Sequence, residues 1–146
     1  MTKKASKSAN PTLTRTDYER LAEFRYLLRR FLIFSEGAAV EAGLTAQQHQ
    51  ALLAIKGFSG RDRMATGELA ERLGIRHHSV VGLVDRLGAK GLIRRQAGAD
   101  DLRQVFITLT PKAESLLARL SAIHRGELEQ LAPLLRSLLT YFEPNS

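Results

Sequence analysis

The sequence predicts a mainly α-helical domain with a small antiparallel β-hairpin, built around a helix-turn-helix. Two observations carry this. Residues 64–92 show helical apolar spacing broken once at Gly74, and residues 92–110 switch to alternation about a Gly/Asp turn. A helix-turn-helix lays its second helix in the DNA major groove, and a basic hairpin beside it reaches the adjacent minor groove. This order of elements therefore points to a function as well as a fold.

Residues 1–15 read as a basic, disordered tail without the apolar stretch of a secretory signal. One domain is expected over 16–146. Asp17 is expected to cap a helix through about Glu41, with Leu21, Phe24, Leu28, Phe31 and Leu32 on its apolar face and Gly43 as its stop. Thr45 caps a second helix to about Lys56, and a loop from Gly57 to Arg63 follows.

The helix-turn-helix comes next, within a segment 45–110. Thr66 is the expected cap of a helix through Leu73; with that cap, Leu69 stands at the third position and no capping box forms. Gly74 supplies positive φ at the turn. A helix over about His77–Lys90 buries Val80, Val84 and Leu87, and ends at Gly91. Its first turn displays Arg76, His77, His78 and Ser79, donors and acceptors suited to base edges.

The hairpin strands are expected at Leu92–Gln96 and Arg103–Leu109, with Val105, Ile107 and Leu109 opposing Gln104, Phe106 and Thr108. Arg94, Arg95 and Arg103 make it basic, and an arginine near such a tip suits the negative potential of a narrow minor groove. Asp101 is expected inside the protein as wing support, paired with Arg86 or Arg103. Thr110-Pro111 opens a helix to about Gln130, with a separate short helix from about Pro133. The leucines between Leu116 and Leu139 exceed what a small hairpin domain covers. Helices from both chain ends, 16–43 and 111–146, are therefore expected to close a two-fold interface.

The segments GELAERLGI (67–75), VDRLGAKGLIRR (84–95), Asp101 with Arg103, and ITLT (107–110) together resemble the MarR family of winged-helix transcriptional regulators. The resemblance implies a homodimeric repressor on a pseudo-palindromic double-stranded DNA operator, with Arg103 as the wing arginine. It also implies a small aromatic or anionic effector in a cleft between the dimer helices and the winged domain. Tyr18, Arg25, Arg29, Phe31 and His49 are the candidates for lining it. Gly82 departs from the pattern, because similar recognition helices carry a long polar or basic residue there. That glycine costs about 1 kcal/mol of helix propensity and shifts base reading toward Arg76, His77, His78 and Ser79.

Composition agrees. Lys and Arg outnumber Asp and Glu by 22 to 15, a net charge of +7 that favours a polyanionic partner. The absence of cysteine excludes disulfides, thiolate metal sites and thiol redox sensing. His77 and His78 diverge by about 100° on a helix and have no further ligand at metal spacing, so neither metal nor cofactor is expected. No nucleophile–base pair or phosphate loop suggests an enzyme. No apolar run reaches membrane-spanning length, so no membrane association is expected, and a cytoplasmic location is. The rival reading is a winged-helix module that docks proteins without sequence-specific DNA binding.

Overall fold

Threonines start three of the helices in the computed structural model, which describes residues 12–58, 63–98 and 103–145. Thr14 Oγ1 accepts from the Asp17 N–H at 3.2 Å, and Asp17 accepts from the Thr14 N–H at 2.8 Å, opening α1 (Arg15–Glu41) on a full capping box. The cap is therefore Thr14, with Asp17 as its partner one turn in. Thr45 and Gln48 make the same reciprocal pair for α2 (Ala46–Lys56), at 3.1 and 3.0 Å.

Between α2 and the helix-turn-helix lies a strand that periodicity did not disclose, β1 (Met64–Ala65). It moves the start of α3 (Thr66–Leu73) back by one residue. Thr66 is the first helical residue rather than the cap, and Glu68 accepts from the Ala65 N–H at 3.1 Å. Gly74 follows with φ +65°, and the Ile75 N–H returns to the Ala70 carbonyl. Next come α4 (His77–Ala89), β2 (Ile93–Ala97) and β3 (Val105–Leu109). The three strands form an antiparallel sheet in the order β1-β3-β2, with Met64 opposite Ile107 and Arg95 opposite Ile107 on the other side. As the central strand, β3 buries both Ile107 and Phe106; the simple alternation expected for a two-stranded hairpin does not hold. Arg63 lies over the Phe106 ring at 4.2 Å.

Thr110 fastens this unit to the last helix, α5 (Pro111–Phe142). Its hydroxyl donates to the Gly91 carbonyl at 2.7 Å and accepts from the Ala113 N–H at 3.2 Å. Lys90 Nζ donates to Gly43 O at 2.7 Å and Gln48 Oε1 at 3.1 Å, tying the end of α4 to the α1–α2 link. The expected break at Pro133 does not occur, and α5 runs through it. An interior proline forfeits a backbone hydrogen bond and costs about 3 kcal/mol. Leu131 and Leu138, buried with Leu27 of α1, hold the helix on both sides of it.

The main core joins Leu52, Ile55, Met64, Leu69, Val80, Leu83, Leu87, Leu92 and Ile107 to Ala39 of α1 and Ala113, Leu117 and Leu120 of α5. No helix among the described residues is long and apolar enough to cross a membrane.

Candidate nucleic-acid interface

The start of α4 differs from the other helix starts. Arg76 occupies the cap position in extended backbone, no side chain caps the first turn, and no acidic residue lies in it. A missing cap costs about 1 kcal/mol and leaves backbone N–H groups directed outward, where they suit an anion. Arg76, His77, His78 and Ser79 are all exposed. The opposite stripe of the helix, Val80, Leu83, Val84 and Leu87, is buried and fixes which side faces out.

The two adjacent arginines of β2 point to opposite faces, as successive strand residues must. Arg94 is exposed. Arg95 lies over α4, where its guanidinium pairs with the Asp85 carboxylate and its Nη2 comes within contact range of Gly88. This pair holds the hairpin against α4, the task expected of Asp101, which lies outside the described residues. Asp85 was missed in the sequence; its signal was its place as the single carboxylate of α4, shortly before a strand that carries arginines. The expected pairing of Arg86 with Asp101 lies outside the described residues; Arg86 lays its guanidinium over Gly82, so that a Cβ at 82 would meet Nη1 at 3.3 Å.

His77 and Val81 of α4, Arg95 of β2, and the exposed Arg103 and Gln104 before β3 border one open cleft. Its far wall is the first turn of α3. Glu68, also at this cleft, is engaged by the Ala65 N–H, and Asp85 by Arg95. Of the seven positions expected to contact DNA, the structure thus brings His77, Arg95 and Arg103 to one cleft, with Arg76, His78 and Ser79 at the adjoining helix start.

The five effector candidates do not converge within one chain. Tyr18 is exposed beside Arg15, Glu19 and Ala22, and Arg25 and Arg29 border an exposed groove with Leu28, Leu32 and Ile33. Tyr18 and Phe31 are separated by 13 residues of one helix, about 20 Å. Phe31 and His49 do approach each other, around His124 of α5. That imidazole lies against His49 at 4.8 Å between centroids with the rings tilted by 45°, meets the Phe31 ring edge-on at 5.9 Å, and bonds Ser35 Oγ at 2.8 Å. Burial, reinforced by repulsion from His124, lowers the His49 pKa below its ordinary 6.5. His49 Nδ1 is buried without a hydrogen-bond partner among the described residues. His124 was missed because it is distant in sequence and carries no motif.

Residues 42–104 match the model of the MarR family. This segment is similar to the MarR family. Solved structures extend the likeness over the flanking helices. S. aureus MepR, as a mutant bound to an oligodeoxyribonucleotide, superposes with a TM-score of 0.66 at 21% identity, covering 86% of this chain and 98% of its own. AbsC, a MarR family transcriptional regulator from Streptomyces coelicolor, gives 0.68 at 21% identity over 86% and 91%. A probable transcriptional regulator from Pseudomonas aeruginosa gives 0.63 at 26% identity over 88% and 100%. The helix-turn-helix and hairpin thus share their fold with these solved structures.

Proposed function

We propose that this chain is a sequence-specific, double-stranded DNA-binding transcriptional regulator, acting as a homodimeric repressor that a small molecule relieves. One observation carries the DNA reading: the uncapped, exposed start of α4 and the basic hairpin border a common cleft. In this reading α4 enters the major groove with Arg76, His77, His78 and Ser79 foremost, and Arg103 on the wing reaches the minor groove. Arg94 meets phosphate. Arg95 acts through Asp85, setting the angle between wing and helix.

The dimer reading rests on exposed apolar side chains along α1 and α5, among them Leu28, Leu32, Ile33, Ile123, Leu128 and Leu139. Two such faces, related by a two-fold axis, present two α4 helices to a pseudo-palindromic operator. For the effector, the Phe31–His49–His124 cluster is favoured over Tyr18, Arg25 and Arg29, because His49 Nδ1 offers a buried polar atom without a partner.

The test is binding to a duplex, selected from a random library, across a salt series. Counterion release predicts that affinity falls about 10³-fold or more between 50 and 200 mM salt for six or more phosphate contacts. A flat salt response, or failure to select any duplex, favours the protein-docking module instead.

A further inference from the structure

Gly82 and Arg86 form a unit on the outward face of α4, and it rests on the DNA reading above. The buried stripe of Val80, Leu83, Val84 and Leu87 defines the direction that faces out. At about 100° per residue, Gly82 lies roughly 30° from the middle of that outward face, and Arg86 about 70° from it, on the flank. The guanidinium of Arg86 nevertheless occupies the space above Gly82: Nη1, Nη2 and Cζ stand 3.3, 3.8 and 3.9 Å from where a Cβ would be. Helical side chains lean back toward the N-terminus, so an arginine at 86 reaches the surface one turn earlier. A side chain at 82 competes for that surface.

The charge state of the neighbourhood agrees. Asp85, the single carboxylate of α4, is paired with Arg95. Arg86 makes no ion pair among the described residues and keeps a planar, permanently charged fork. Folded over Gly82, that fork is carried from the flank toward the middle of the face that also bears His78. The outward middle of a recognition helix addresses base edges, whereas its flanks address phosphates.

We infer that Arg86, carried over Gly82, is a base-reading residue that selects guanine by a bidentate bond to O6 and N7 in the major groove. The glycine is the device that permits it. Its propensity cost is exchanged for an arginine delivered from one turn below.

The experiment selects duplexes from a random library with the full chain and with Arg86→Ala, Arg86→Lys and Gly82→Ala, and compares base preferences position by position. The wild-type site is expected to hold a guanine in each half-site that Arg86→Ala no longer prefers, a loss of about 5- to 150-fold at that position, with other positions retained. Arg86→Lys keeps the charge but loses the same preference, because an ammonium lacks the fork. Gly82→Ala raises the thermal midpoint yet weakens that guanine preference, opposite signs that a purely structural glycine does not produce. The inference is overturned if Arg86→Ala recovers the same guanine, or weakens all positions equally as a phosphate contact does. If the wild-type chain selects no site, the DNA reading itself falls; a site selected equally by all four proteins sinks this inference alone.

Discussion

The two halves of this molecule bury their apolar residues very differently. Among the described residues, most of the deeply buried large side chains, from Leu52 to Ile107, belong to α2 or to the winged unit, while α1 and α5 add Leu27, Leu117 and Leu120. Between the outer parts of α1 and α5, three buried leucines make a thin seam, Leu27, Leu131 and Leu138. Leu32, Ile33, Leu134 and Leu139 are each more than half exposed on those same two helices, at 53%, 62%, 53% and 53%. The core of the winged unit is closed with α2 and with the near parts of α1 and α5. The long helices leave several large apolar side chains exposed on the single chain, the face that the proposed dimer covers.

Substitutions at matched leucines break this comparison most sharply. Leu52→Ala is expected to cost about 2–5 kcal/mol in denaturant unfolding, through lost burial and a residual cavity. Leu32→Ala, at a solvent-exposed position within the chain, is expected to change the unfolding of a dilute monomer by about 0.5 kcal/mol or less. If both cost the same, the α1 face is already covered within the chain. Leu32→Glu sharpens the point: it places a charge on the proposed interface, and is expected to weaken self-association at least tenfold in sedimentation while circular dichroism stays unchanged.

The junction between the halves predicts a pH dependence. His49 of α2 has a folded pKa below its ordinary 6.5, chiefly because burial disfavours the imidazolium. The unfolded chain therefore binds more protons as pH falls, so stability is complete above about 6.5 and declines below it, toward the lower folded pKa. Urea titrations at pH 7.5 and 5.5 check the direction, and His49→Gln is expected to flatten the slope. A small effect on stability is expected of Asp85→Ala. Both members of the Asp85–Arg95 pair are about half exposed, so its contribution to stability is expected within about 1 kcal/mol. Loss of wing position should show instead as weaker binding of the selected duplex.

The winged half was the more legible in the sequence. Gly74, the α4 stripe and the hairpin arginines announce themselves because local periodicity and turn chemistry determine them. The strand β1 did not, because two residues carry no period; its absence shifted the expected α3 cap from Ala65 to Thr66 and hid Glu68 as the capping partner. Pro133 marks a limit of another kind, since tertiary support at Leu131 and Leu138 overrides a strong local breaker. Of the candidate interface, Arg76 to Ser79 and Arg103 were readable as exposed basic and polar positions. The division of labour among Arg86, Asp85 and Arg95 was not, because it depends on which way each side chain turns across two elements. The His49–His124 pair joins distant positions, and no spacing rule links them.

Sedimentation equilibrium of the purified chain without DNA, at micromolar concentration, tests the contrast between a closed winged unit and an open helical half most directly. A mass of twice the 16.2 kDa of one chain is the predicted result, reduced toward one chain by Leu32→Glu. A stable 16.2 kDa species for the unsubstituted protein across that range would contradict the account.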